Sequence, residues 1–315
     1  MLKNFYLMKL FKPKFWDKKY NFFSIVLLPF TFIILIFLFF KNRFTKSIKF
    51  DIPIICVGNI YVGGTGKTPT SIFVAKELKR LGKKPVIIRK FYKNHKDEHD
   101  LIKRNFGDLI VEKNRVDAIK KAEKLGFNIA ILDDGFQDRK INKDFNIICF
   151  NQNQLIGNGL VLPAGPLRES LNSLKNAHLV LINGEKDKLF EKKILNINKN
   201  LHIVYSNYSP KNLNKFRNKK LLAFAGIGNP KNFFKLLEEN NLLVEKKIVF
   251  PDHYQFTIEE FQNIVLEAKK KNLKIIMTEK DFFKTKNFDV KKKDYLEVAL
   301  EIKNLSYFMN LIKQF

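Results

Sequence analysis

Ile54-Ile55-Cys56-Val57-Gly58-Asn59-Ile60-Tyr61-Val62-Gly63-Gly64-Thr65-Gly66-Lys67-Thr68-Pro69-Thr70 is the stretch from which the fold is read. Its opening apolar run, Ile54 to Val57, reads as a strand buried in a parallel sheet. Glycines follow, and then Ser71 to Arg80 repeats apolar residues at helical spacing. Strand, glycine turn and helix, in that order, are the context that a phosphate-binding loop needs, the plain alternative being a simple tight connection. Glycines let backbone N–H groups converge on phosphate oxygens, and the helix start adds its partial positive charge. The expected cradle is Tyr61, Val62, Gly63, Gly64, Thr65, Gly66, Lys67 and Thr68. Lys67 would reach the β- and γ-phosphates of ATP, and the Thr68 hydroxyl would face Mg²⁺. Tyr61 stands where the usual G-x-x-x-x-G-K-[ST] pattern opens with glycine. Pro69 costs nothing there, because a first-turn N–H has no helical partner.

Outward from this stretch the pattern alternates. Pro85 to Arg89 reads as a strand, Arg115 to Leu125 as a helix ended by Gly126, and Phe127 to Leu132 as another strand. That last strand runs into Asp133-Asp134-Gly135-Phe136-Gln137. An acid at the end of a buried strand is placed to meet Mg²⁺ beside the phosphate loop. Asp133, Asp134 and Gln137 are therefore the candidate metal contacts. Phe145 to Phe150 and His178 to Ile182 supply further strands. The fold expected is α/β, a P-loop NTPase-like doubly wound sheet, with a second, smaller α/β domain. Residues 50–183 would form the first, 184–220 a polar connection, and 221–315 the second. Asp97 and Glu98 read as part of a charged loop, and His253 follows a strand of the smaller domain. Arg115 and Arg168 are candidate phosphate forks.

Upstream, Phe22 to Phe40 is nineteen residues without a charge, long enough to cross a bilayer. Lysines and an arginine flank it on both sides, so charge does not choose an orientation. Residues 1–49 are read as a hydrophobic membrane-anchor helix with basic flanks, its topology left open between a span, a kink at Pro29 with return, and a place in the interface. Because ATP is cytoplasmic, the domains after it are expected on the cytoplasmic side. The chain carries 58 basic against 31 acidic residues, a formal charge of +27. The lysines are dispersed and no basic–aromatic recognition motif occurs, which argues against nucleic acid and leaves a membrane surface, a phosphorylated substrate or a general compositional drift toward Lys, Asn, Ile and Phe. The two cysteines, Cys56 and Cys149, sit inside apolar runs and read as small buried hydrophobes.

Six segments in order carry a resemblance: Val57-Gly-Asn with Gly63-Gly-Thr-Gly-Lys-Thr-Pro69; Asp133-Asp-Gly-Phe-Gln137; Leu162-Pro-Ala-Gly-Pro-Leu-Arg-Glu169; Ala225-Gly-Ile-Gly-Asn-Pro230; Asp252-His253; and Met277-Thr-Glu-Lys-Asp281. Together they resemble the tetraacyldisaccharide 4′-kinase family, which phosphorylates the lipid A precursor at the inner membrane. The resemblance implies ATP and Mg²⁺ as cofactors and an acylated glucosamine disaccharide as substrate. It implies catalytic roles for Asp97, His253 and Lys67, and substrate contacts for Arg115, Arg168 and Tyr92. Where the family has Arg-Gly-Tyr-Gly, this chain has Arg89-Lys-Phe-Tyr92, and Lys96 and His99 flank the Asp-Glu pair. A membrane-anchored NTPase switch would share the loop and Asp133, but would need no acylated acceptor.

Overall fold

The computed structural model describes residues 12–19, 21–92, 95–252, 254–285, 288 and 293–315. A long helix, α1 (Phe22–Phe44), precedes β1 (Ile54–Gly58), α2 (Lys67–Arg80), β2 (Pro85–Lys90), α3 (Lys96–Asn105), β3 (Leu109–Glu112), α4 (Arg115–Lys124) and β4 (Ile129–Asp133). Then come β5 (Phe145–Asn151), β6 (Leu179–Asn183), α5 (Lys188–Leu195) and β7 (His202–Pro210). The next elements are β8 (Leu221–Ala225), α6 (Pro230–Glu239), β9 (Val244–Val249), α7 (Ile258–Lys270), β10 (Lys274–Thr278), α8 (Glu279–Lys284) and β11 (Lys293–Leu296). The described chain closes with β12 (Val298–Ile302) and α9 (Leu305–Ile312).

It divides into two compact units. The larger comprises Lys14–Ser209 with Leu300–Phe315, and the smaller contains Pro210–Ala299. In the larger, the strands run β12-β7-β6-β5-β1-β4-β2-β3. The pairings of β1 with β4 and β5 are parallel, Val57 lying beside Asp133 and Ile147. Alternation along β1 sorts its side chains to opposite faces. Ile54 and Cys56 join one core with α4 and α5, while Ile55 and Val57 join the other with α2 and α9. After α2 the chain builds outward on one side of β1, then returns to build on the other. Such a reversal opens a crevice at the carboxyl ends of the strands, where the glycine loop lies. The smaller unit is a four-stranded sheet, β11-β10-β8-β9, with two apolar cores of its own.

Two boundaries differ from the sequence reading. Residues 184–209 were expected in the connection, yet α5 buries Phe190 and Ile194 and β7 pairs in parallel with β6. The many Lys and Asn residues there cover the outer side of well-packed elements. The last helix was expected in the smaller domain. Instead, Phe308 and Ile312 of α9 are fully buried against the larger unit, with Phe308 edge-on to Phe73. Truncating Phe308 to Ala is expected to cost about 3–5 kcal/mol. Urea unfolding of the full chain measures it, and a loss below about 1 kcal/mol would show that this packing contributes little. Cys56 and Cys149 are buried as expected, their thiols pushed by burial up to about 11 and about 12.

Candidate active site

The loop between β1 and α2 takes its shape from glycine. Gly66 sits at φ +89° immediately before α2, a left-handed conformation that a side chain would strain. Gly58 permits a close approach, since a Cβ there would lie 2.5 Å from that of Phe136. The Asn59 amide donates to the Gly63 carbonyl at 3.3 Å and to the Thr65 hydroxyl at 2.9 Å, closing the turn. The first-turn amides of α2, beginning at Lys67, have no helical partner and face outward as an anion cradle.

Two expected members of the cradle are otherwise engaged. Tyr61 is fully buried and bridges to Leu167. The Val62 amide donates to the Pro166 carbonyl at 2.9 Å. A segment about a hundred residues downstream thus holds both residues, and the cradle narrows to Gly63–Thr68.

The acidic doublet lies directly beside it. Asp133, at the end of β4, accepts the Thr68 hydroxyl at 3.0 Å and the Ser71 hydroxyl at 3.0 Å. Arg89, at the corresponding end of β2, donates to the same carboxylate at 2.5 Å and binds Glu98 of α3 with its other arm. It also donates to the Thr68 hydroxyl at 3.3 Å. Burial pushes the Asp133 carboxyl above its ordinary range, and the Arg89 charge opposes that rise without cancelling it. Asp134 adopts φ +59° and turns to Arg168 at 2.9 Å and Lys67 at 3.7 Å. Its burial alone would raise the carboxyl, but Lys67, then Arg168, Arg89 and Arg115 hold it below the usual range. The two acids therefore divide the work: one meets the loop hydroxyl, the other the loop lysine.

The remaining expected residues fall as follows. Gln137 donates its amide to the Asn59 carbonyl at 2.7 Å, bracing the loop entry. Arg115 is buried, donating to the Asp134 carbonyl at 2.7 Å and pairing with Asp138 at 3.4 Å. That makes it a post for the doublet's backbone. Asp97 is not in a loop but in the first turn of α3, where acids favour the helix terminus, and it is buried. Its neighbour Glu98 is one guanidinium away from Asp133. Tyr92 is largely exposed and rests against the His95 ring. His253 lies outside the described residues. Arg89 was missed as a site residue; the available signal was a charged residue ending a buried apolar strand.

Thr68 and Asp133 present hard oxygen donors 3.0 Å apart. That set suits Mg²⁺, which takes one or two protein ligands and completes its shell with phosphates and water. Fold and site together define a phosphate-loop nucleotide-dependent phosphotransferase. The sequence model described as tetraacyldisaccharide-1-P 4′-kinase matches residues 23–314. The chain belongs to that family. A tetraacyldisaccharide 4′-kinase of Pelagibacter ubique is 42% identical over 306 residues, covering 95% of this chain and 97% of its own. One of Francisella tularensis subsp. novicida is 35% identical, covering 92% and 98%. The Aquifex aeolicus LpxK crystal structure in complex with ATP superposes with a TM-score of 0.71 at 25% identity, covering 92% of this chain and 98% of that one.

Proposed function

We infer that the chain is an ATP-dependent kinase that transfers the γ-phosphoryl group to the 4′-hydroxyl of the tetraacyldisaccharide 1-phosphate precursor of lipid A. The observation that carries this reading is the loop hydroxyl Thr68 held on Asp133 while Lys67 and Arg168 converge on Asp134. Family membership supplies the acceptor. The Gly63–Thr68 amides and Lys67 would hold the triphosphate, and Lys67 would leave Asp134 for the stronger charge of the phosphates. Thr68 and Asp133 would hold Mg²⁺, which when bound neutralises charge between the β- and γ-phosphates. Arg168 is the fork for a phosphate oxygen, and Arg115 keeps the Asp134 backbone in place for it.

A sugar hydroxyl is a poor nucleophile, so a carboxylate must take its proton as the phosphoryl group moves. Asp97 is proposed for that role, on a helix tied to the metal-side acid through Glu98 and Arg89. Asp97→Asn is expected to lower kcat by about 10²–10⁴ while ATP affinity is kept. Rapid-quench turnover with equilibrium ATP binding measures both, and normal kcat would move the base elsewhere. His253→Ala is expected to lower kcat as well, in keeping with the role that the resemblance gives it. The apolar α1 and the lipid acceptor support a place at the cytoplasmic side of the inner membrane. The deciding experiment is incubation with γ-labelled ATP and the lipid disaccharide. Label should appear at the 4′-oxygen, and ATP consumption without the lipid would refute the kinase reading.

A further inference from the structure

Asp134 to Asp138 leaves the end of β4 as a tight turn, and two cations take up its backbone carbonyls. Arg115 holds the carbonyl of Asp134. Lys143 holds two more: its ammonium donates to the Phe136 carbonyl at 3.0 Å and to the Asp138 carbonyl at 2.6 Å. The Gly135 carbonyl is served within the turn, accepting from the Asp138 N–H at 3.0 Å. Gln137 is thus bracketed by two carbonyls that a single side chain grips. Lys143 comes from the segment leading into β5. The next residue, Asp144, clasps Ile54 at the start of β1, through its own N–H at 2.9 Å and through its carboxylate at 2.7 Å. The lysine therefore reaches the turn from a fixed support.

This ammonium is placed unlike that of a surface lysine. Burial lowers its pKa from the ordinary lysine value and Arg139 adds to the fall, while Cys56, Asp138 and Glu169 oppose it. Its two bonds go to neutral carbonyls, because the acids nearby are engaged elsewhere. Asp138 pairs with Arg115 at 3.4 Å, and Glu169 with Arg139 at 2.9 Å. Partial desolvation of an ammonium is unfavourable, and well-formed charge-assisted hydrogen bonds are what offset it. The lysine therefore constrains where the two carbonyls stand.

From Gln137 the path to the nucleotide is short. Its side-chain amide donates to the Asn59 carbonyl, and the Asn59 side-chain amide ties the Gly63 carbonyl and the Thr65 hydroxyl. On the other side of Gln137, the fully buried Phe136 lies against Gly58, at the entry to the same loop. A shift of the carbonyls at 136 and 138 would move both contacts at once. Arg115 cannot take over, since its bonds reach the Asp134 backbone and the Asp138 carboxylate. We propose that Lys143 is a positioning residue of the nucleotide cradle: it brackets Gln137 and, through the Gln137–Asn59 bond, sets the shape of the Gly63–Thr65 turn. This rests on the nucleotide-binding part of the kinase reading, and it gives work to a residue that has no place in the cradle itself.

A double-mutant cycle on the full chain tests it, read by equilibrium ATP binding with no lipid acceptor added. Lys143→Met keeps the length of the side chain and removes the donor. It is expected to weaken ATP binding about tenfold, the worth of one charge-assisted hydrogen bond. Gln137→Leu should weaken binding to a similar degree. Together the two should cost no more than either alone, because residues that act in series are coupled. Losses that multiply to about a hundredfold would show that Lys143 acts by a separate route, and would overturn the proposal. If Lys143→Met does not fold in a thermal melt, Lys143→Gln, which keeps a neutral donor, takes its place under the same criterion. In turnover the change should appear in KM for ATP and not in KM for the lipid disaccharide, and an equal rise in both would overturn the proposal. Failure to label the lipid disaccharide would refute the kinase reading alone, since the cycle is decided by ATP binding. Failure of the parent chain to bind ATP would overturn both.

Discussion

Lys67→Ala should reduce kcat/KM by at least about 10³, some 4 kcal/mol of transition-state stabilisation, without unfolding the protein. The ammonium sits 3.7 Å from Asp134 and is mostly buried, so it is held ready beside the helix terminus that receives the phosphates. Its loss removes the only lysine among Gly63–Thr68, and backbone amides cannot follow charge as it spreads over the transferred group. Asp134 does not become an uncompensated buried charge, because Arg168 stays on it at 2.9 Å. Melting should therefore shift little while turnover collapses. Steady-state kinetics and a thermal melt on the same preparation check the pair. Turnover within tenfold of the parent would remove the phosphate loop from the chemistry.

Arg89→Leu should act on both quantities. The guanidinium is 4% exposed and joins Asp133, whose side chain is fully buried, to Glu98. Removing one partner of a buried ion pair costs about 3–5 kcal/mol, because the other charge is left behind. Here two carboxylates are left behind, one of them the candidate metal ligand. Asp133 already has its carboxyl raised by burial, and without Arg89 it rises further. A carboxyl whose folded-state pKa lies above its unfolded value takes a proton first in the folded protein. The stability deficit should then be largest at neutral to alkaline pH and shrink as pH falls toward the raised pKa. Urea midpoints measured from pH 8 down to pH 5 test the sign. A deficit that grows on acidification would show that Asp133 is not the group left exposed to the loss. Arg89→Lys should recover part of the stability but less of the activity, since an ammonium cannot bridge both acids with the same fork.

What could be read from residues in order, and what could not, follows from the range of the forces involved. The loop at 63–68, the helix after it and the acid at 133 are local patterns of spacing and turn chemistry, and all three stand in the structure. Arg89 becomes part of the site only because β2 lies beside β4, a pairing made across some forty residues. Tyr61 and Val62 were lost to the cradle through the bridge to Leu167 and the bond of the Val62 amide to Pro166, which no local pattern reveals. Asp97 sits among charges that read as solvent-exposed, yet its helix is amphipathic and buries Ile102 with it. Between 184 and 209 the abundant lysines and asparagines masked Phe190 and Ile194, buried residues by which α5 holds to the sheet. Ser24 and Thr31 lie within a run read from the sequence only as uncharged. Their hydroxyls turn out to be what the run uses to grip its own enzyme.

The return of β12 and α9 to the larger unit has a consequence for how the chain is made. Pro210–Ala299 is an interruption in the middle of that unit, so it leaves the ribosome and can collapse on its own first. The larger unit is still missing Leu300, Phe308 and Ile312 beneath α2 at that stage, and the β7 edge has no neighbour. A nascent kinase therefore exposes a strand edge beside a half-built apolar floor until β12 and α9 emerge. That makes the interval between the emergence of β7 and that of α9 the window in which a chaperone has something to hold.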